Sequence, residues 1–337
     1  MSLKRNDEAP MKIGIVGFGR MAELCHVPGL RGAGWEIAAV LDVTPARREA
    51  ARALGIAVVC ERIEELPAAG IAAALIAPHS SVRWSVIEPL MARGIHLLIE
   101  KPLATTTEEA RRICEACERA GVLCSVFHNR RWDADFLRVR KIVESAFIGG
   151  VLRVENRLFE AEPATRFGAA EFNQSWRVTA GMGGGSMLDW GPHLLDQVLT
   201  LMHGAGPVVS VNAEVRSVRH GDADDHFMID LRFENGAAAL VGKSDICPIG
   251  PKHKWLVIGE RGSLVGDWKS LMARDVEGVE RRERTAPRPA DLHRNFLEAV
   301  RDEVPLLVTA RQSLRTVEVF DAARLSATSG ASVATRI

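Results

Sequence analysis

Residues 11–22 read MKIGIVGFGRMA. The run at 12–16 has the unbroken apolar character of a strand buried on both faces, and it delivers Gly17-x-Gly19-x-x-Ala22 where a helical pattern opens. In such a strand–turn–helix the first glycine permits a tight turn. The second lets backbone amides approach a pyrophosphate, and the small third residue keeps helix against strand. The helix N-terminus adds unpaired N–H groups and a partial positive charge. Gly17, Phe18, Gly19, Arg20 and Met21 are therefore candidate dinucleotide-binding residues. Asp42 follows 25 residues after Gly17, ending the next apolar run. A carboxylate there either accepts hydrogen bonds from an adenosine ribose or caps a helix. As a ribose acid it disfavours a 2′-phosphate, so NAD is expected ahead of NADP, with NADP left open because Arg47 and Arg48 lie close by.

Outward from this segment the same grammar repeats. Apolar runs at 12–16, 37–41, 57–59, 73–77, 96–99 and 122–126 alternate with helical stretches at 45–54, 82–93 and 107–120, the last opening on a capping box of Thr106 and Glu109. That pattern predicts a doubly wound parallel sheet, a Rossmann domain, over 11–127. Beyond Phe127 the pattern changes. A helix at 133–145 leads to a strand at 151–159, a glycine-rich segment at 181–185 and a helix at 186–202. Strand-like runs follow at 208–218, 226–233, 237–244, 254–258 and 263–267, with Asn235-Gly236 as a hairpin turn. Asp291 caps a helix to about 301, and another spans 310–328. Residues 128–337 thus read as an α+β domain with a large, mostly antiparallel open sheet, its last helices packing back on the first domain. The fold class is α/β.

Composition narrows the function classes. The 337 residues carry 43 Lys plus Arg against 43 Asp plus Glu, leaving no global cationic field for nucleic acid or an anionic membrane. The longest nearly unbroken apolar run, 71–78, is far short of the ~20 residues a membrane-spanning helix needs. Residues 1–10 carry no apolar leader, and the expectation is a cytoplasmic protein. With no tyrosine in the chain, tyrosine acid–base chemistry is excluded. The six cysteines are scattered, and the Cys114-x-x-Cys117 pair sits inside a helical pattern with no second pair, so no metal site is expected.

Two further segments carry chemistry. Glu100-Lys101-Pro102 follows the fifth parallel strand, at the sheet edge where doubly wound folds bind ligands. A lysine there either stabilises developing negative charge on a substrate oxygen or is a surface turn residue. Residues 183–196 read GGGSMLDWGPHLLD; on one helix Asp189, His193 and Asp196 would share a face, with the carboxylate orienting the imidazole. By itself that face is equally a polar surface or a capping network.

The order MKIGIVGFGRMA, EKP, GGGSMLDWGPHLLD resembles the Gfo/Idh/MocA family of NAD(P)-dependent oxidoreductases over nearly the whole chain. The resemblance implies reversible oxidation of a secondary alcohol on a sugar, inositol or related polyol. It also implies a homodimer or homotetramer formed through the C-terminal sheet. Lys101, Asp189 and His193 match the family's catalytic positions, with His193 as general acid/base. Asp196 is taken as structural. Pro78, His79, Glu100 and Lys101 match its nicotinamide-side cradle, and Asn129, Arg130, Trp176 and Arg177 its substrate wall; substrate choice is expected to depend on the loops around Arg130, Arg166 and Trp176. One departure stands out: in Pro78-His79-Ser80-Ser81-Val82, Val82 replaces the usual histidine. Two alternatives accompany this reading, an NAD-dependent glycoside hydrolase working by transient oxidation and a non-catalytic NAD-binding regulator.

Overall fold

Six short strands pair in parallel in the order β3-β2-β1-β4-β5-β6. They are β1 (Lys12–Val16), β2 (Glu36–Leu41), β3 (Val58–Cys60), β4 (Ala73–Ile76), β5 (His96–Ile99) and β6 (Cys124–Val126). This computed structural model describes residues 10–162, 165, 172, 174–284, 286 and 289–337; Arg166 and residues 1–9 lie outside them. Ile13, Ile15, Ala73, Leu75, Leu97 and Ile99 are fully buried, as expected of strands covered on both faces. The covering helices are α1 (Val27–Ala33), α2 (Pro45–Ala53), α3 (Arg83–Met91) and α4 (Thr107–Ala120). Strand order reverses direction between β1 and β4, and the crevice outside their carboxyl ends is the position for a ligand.

Helix α5 (Ala134–Glu144) leads to a nine-stranded sheet in the order β14-β13-β12-β11-β7-β10-β9-β8-β15. Its strands are β7 (Val151–Phe159), β8 (Val208–Arg216), β9 (His226–Phe233), β10 (Ala238–Ser244), β11 (Trp255–Gly259), β12 (Gly262–Gly266), β13 (Leu271–Asp275), β14 (Glu280–Glu283) and β15 (Val333–Ala334). All its pairs are antiparallel except β10 with β7. One face is covered by α5 and by α7 (Gly191–Leu201), with Phe136, Val139, Leu195 and Val198 among the buried contacts. The last two helices are α8 (Leu292–Asp302) and α9 (Ala310–Ser329). Leu314 and Val317 of α9 belong to the core of the parallel sheet, whereas Val319, Phe320 and Ala323 belong to the core of the second sheet. One helix therefore joins both cores.

Three sequence expectations differ from this structure. The helix expected over 186–202 is two helices, α6 (Ser186–Asp189) and α7, parted at Trp190. Pro192 has no N–H to continue the helix, and Gly191 offers no conformational restraint. The sequence pattern marks no strand at β13, β14 or β15: β14 is the charged run ERRE on an exposed edge with no apolar alternation, and β15 is two residues long. At Thr106 only half of the capping box forms: its hydroxyl accepts from the Glu109 amide at 3.3 Å. The reciprocal arrangement occurs at Thr309 and Gln312, opening α9.

A buried ion pair joins the turn that follows the parallel sheet to the helices of the second half. Arg131, in the 3₁₀ turn Asn129–Trp132 after β6, donates two parallel hydrogen bonds to Asp196 of α7, both 2.7 Å, and a third to Gln312 of α9 at 2.9 Å. Removing one partner of such a pair strands a buried charge. Asp196→Ala is expected to cost about 3–5 kcal/mol in urea unfolding; a loss below about 1 kcal/mol would show that water replaces the carboxylate.

Candidate active site

The carboxyl ends of β1, β4 and β5 open on a cleft. Of the residues singled out in the sequence, Met21, Pro78, His79, Glu100, Lys101, Trp176, Arg177 and Asp189 line it together. They come from both halves of the chain: the loops after β1, β4 and β5 supply one wall, and the segment 176–189 the other.

Asp189 organises the shared wall. Its Oδ1 accepts from the Lys101 ammonium at 2.9 Å, and its backbone carbonyl accepts from the same nitrogen at 2.6 Å. Its Oδ2 accepts from the Arg177 guanidinium. Burial alone would push this carboxyl up, but Lys101 and Arg177 outweigh it and hold Asp189 well below the usual carboxylate range. Lys101 is thereby fixed at the end of β5. Arg177 lies over the Trp176 ring, 4.6 Å from its centroid, so the same wall offers an aromatic surface.

His193 is not oriented by Asp189. Both Asp189 oxygens belong to the two cations, and no hydrogen bond joins Asp189 to the His193 ring among the described residues, so the carboxylate–imidazole pair expected from the spacing is not formed. His193 lies in the first turn of α7, 8% exposed, in edge contact with Trp190 at 6.0 Å between ring centroids. Its Nδ1 is buried without a hydrogen-bond partner among the described residues. Burial, followed by the positive charges of Lys101 and Arg130, holds its pKa well below that of a free histidine, so the ring is neutral at pH 7. His128, which the sequence reading passed over, is a second neutral ring nearby: it is fully enclosed and pushed down to about 4 by burial.

Glu100 is committed to the protein. Its Oε1 accepts from His26 at 2.8 Å and its Oε2 from the Lys101 amide at 3.0 Å. His26 in turn contacts His293 of α8 at 2.9 Å, with Phe127 against both rings. Burial acts to raise Glu100, but the hydrogen bond and charge of His26, with Lys101 and Arg83, bring it below its ordinary value. This buried chain fixes the backbone that presents Lys101. Its two histidines carry no sequence signal, being distant from the motif in sequence.

The crevice between β1 and β4 fits a dinucleotide. Gly17 turns at φ +83°, and a Cβ there would lie 2.8 Å from the Pro78 nitrogen; at Gly19 a Cβ would meet no protein atom within 4 Å, leaving an open backbone approach. The Phe18 amide donates to Asp42 Oδ2 at 2.6 Å and the Thr44 amide to Oδ1 at 2.8 Å, so Asp42 holds the turn and the next helix start at once. Arg47 is paired with Glu23 and Arg48 with Glu61. Arg20 borders the same turn, half-buried. His79 lines the cleft with its Nδ1 2.8 Å from Ser81 Oγ.

Asn129 and Arg130 are placed differently from Trp176 and Arg177. Arg130 pairs with Asp133 at 2.8 Å and lies over the Trp190 ring at 4.3 Å, behind the cleft rather than in its wall. Asn129 begins the 3₁₀ turn beside it. Among cleft residues the sequence reading missed are Ser80, Arg83, Gly183 and Leu188. Arg83 immediately follows Val82, the one departure from the resembled pattern. No group of three or more His, Cys, Asp or Glu able to hold a metal occurs among the described residues. None of the described helices is long and apolar enough to cross a membrane.

Residues 11–128 match the family profile described as "Oxidoreductase family, NAD-binding Rossmann fold", and residues 136–265 match "GFO/IDH/MocA C-terminal domain". Among curated relatives, the chain is 25% identical to the scyllo-inositol 2-dehydrogenase (NADP(+)) IolW of Bacillus subtilis over 345 residues, covering 93% of this chain and 92% of that one. It is 26% identical to the myo-inositol 2-dehydrogenase of Thermotoga maritima over 266 residues, 76% of this chain and 75% of that one. A solved NAD-binding protein from Listeria innocua superposes with a TM-score of 0.86 at 26% identity, over 97% of each chain.

The two glycines separate fold from binding. Gly19→Ala is expected to leave urea stability within about 0.5 kcal/mol yet weaken NADH binding at least tenfold by fluorescence titration. Gly17→Ala is expected to lose both. Unchanged NADH affinity in Gly19→Ala would place the dinucleotide elsewhere.

Proposed function

Because this chain belongs to the Gfo/Idh/MocA family of oxidoreductases and carries its NAD-binding Rossmann domain, we propose that it transfers a hydride between NAD and a secondary alcohol or ketone of a sugar, inositol or related polyol. The observation that carries this reading is the Lys101–Asp189 pair, held in a cleft at the carboxyl edge of the parallel sheet, beside the Gly17–Gly19 turn. Bound NAD supplies the hydride acceptor. The chain's own groups do the rest. Lys101, fixed by Asp189, donates to the substrate oxygen and stabilises its developing charge. His193, neutral at pH 7, accepts the hydroxyl proton in the oxidative direction. Asp189 is a positioning residue for Lys101 and Arg177. Trp176 and Leu188 give the cleft the apolar wall that a polyol's C–H face needs, with the polar groups above setting orientation. The two inositol dehydrogenases among its relatives support a polyhydroxylated substrate.

NAD is proposed ahead of NADP. Asp42 stands at the ribose position, and the neighbouring guanidiniums that could receive a 2′-phosphate are occupied by Glu23 and Glu61. A like charge beside Asp42 would cost about 1 kcal/mol in water and about 4 kcal/mol at an effective dielectric of 20. Copies of the chain are proposed to associate through the open face of the second sheet. A row of Met272, Val265, Leu256 and Leu240 crosses that face beside Glu155, with Met272 exposed and the other three half-buried.

His193→Asn is expected to lower kcat for NAD-dependent polyol oxidation by roughly 10²–10⁴-fold with NADH affinity unchanged; turnover within tenfold of the parent would remove His193 from the chemistry. The neutral ring is the active base, so kcat/KM for oxidation should fall on acidification only below pH ~6.5, through the lowered pKa of His193. An acid limb centred above pH 7 would contradict that assignment. Asp42→Ser should raise the NADP-to-NAD ratio of kcat/KM at least tenfold. An unchanged ratio would leave Asp42 as a capping residue alone.

A further inference from the structure

The cleft wall holds one more cation, Arg83, whose donors are left largely unpaired. Arg83 opens α3, is 2% exposed and still lines the cleft. Its Nε and Nη1 have no hydrogen-bond partner among the described residues, and its Nη2 reaches only the Pro78 carbonyl, at 3.5 Å. It forms no ion pair with the described residues either. Other cations nearby are engaged: Lys101 and Arg177 with Asp189, Arg130 with Asp133, Arg131 with Asp196. The acid nearest to serving it, Glu100, has its two oxygens on His26 and the Lys101 amide.

Burial lowers Arg83 to about 10, against the pull of Glu100 and Glu109, so the side chain stays charged at neutral pH. A buried cation with donors unpaired destabilises the protein that keeps it, and such a group needs an explanation. Packing supplies none, since an apolar side chain would fill the same space without the penalty. Placement does supply one. Arg83 shares the cleft wall with Met21, Pro78, His79 and Ser80, the ends of the two loops that flank the crevice between β1 and β4.

We propose that Arg83 is a cofactor-binding residue, whose guanidinium takes a phosphate or ribose oxygen of the bound dinucleotide as its missing partner. The positive charge suits the anionic diphosphate, and the planar fork suits an acceptor with two oxygens.

The proposal concerns binding, and it stands or falls separately from the hydride-transfer reading, because its test reads affinity without turnover. NADH is titrated into the full-length apo-protein by fluorescence, and ADP-ribose by calorimetry, for the parent, Arg83→Met and Arg83→Lys, with thermal unfolding of each apo-protein alongside. The expected result is a Tm for Arg83→Met equal to or above that of the parent, since the unpaired charge is gone, with NADH binding weakened at least tenfold. Arg83→Lys should recover part of the lost affinity, and the weakening of NADH binding by salt should be shallower in Arg83→Met than in the parent. Parallel loss for ADP-ribose assigns the contact to the diphosphate–ribose portion. NADH affinity within threefold of the parent in Arg83→Met, or a lowered Tm with affinity retained, would overturn the proposal and make Arg83 a structural residue.

Discussion

One carboxylate holding two cations is the constraint on which the site rests. Lys101 comes from the loop after β5 and Arg177 from a 3₁₀ turn in the second half of the chain; left to themselves they would repel each other across the cleft. Asp189 takes both, at 2.9 Å from Lys101 and with its other oxygen on Arg177. All three are largely withdrawn from water, so their attraction is screened less than at a surface, and the cost of desolvation is offset only because each oxygen has its own donor. Burial first, and then the positive charges of Lys101 and Arg130, keep His193 neutral, because protonation would place a desolvated cation in an already cationic neighbourhood.

That constraint has consequences for the fold. Asp189 can reach Lys101 only if the second sheet and its helices dock against the carboxyl edge of the first. The docking is fixed elsewhere, by α9 contributing to both cores and by Arg131 bridging Asp196 and Gln312. The crevice between β1 and β4 follows from the strand order. Fold, tether and ion pair thus act in series. The sheet makes the crevice, the tether sets the second wall, and Asp189 aligns the ammonium.

Much of this was legible because burial on both faces leaves a plain mark. The strands at Lys12–Val16 and His96–Ile99 and the helix at Thr107–Ala120 coincide with their apolar runs and caps. The hairpin at Asn235-Gly236 joins β9 to β10, paired antiparallel. What escaped notice lacked that mark. Strand β14 is all charge on an edge, and the spacing of Asp189 and His193 suggested a carboxylate–imidazole pair, whereas Asp189 is taken by Lys101 and Arg177. The partners of Glu100 and the isolation of Arg83 are properties of three-dimensional proximity: His26 and His293 are 267 positions apart, and no local pattern marks an arginine that will be buried. Motif spacing found the residues near the chemistry, whereas charge pairing decided what each of them does.

The account's central claim is that a nicotinamide ring bound in this cleft faces the Lys101 ammonium, with His193 on the substrate side. A crystal structure of the chain with NADH and a polyol product analogue tests it most directly. The account predicts the diphosphate over the Gly17–Gly19 turn and the nicotinamide C4 facing a substrate carbon that lies about 3–3.5 Å away. Its oxygen should lie within hydrogen-bond reach of Lys101 Nζ, with the Lys101–Asp189 contact intact. A nicotinamide lodged outside the cleft, or an ammonium turned away from the substrate oxygen, would contradict it.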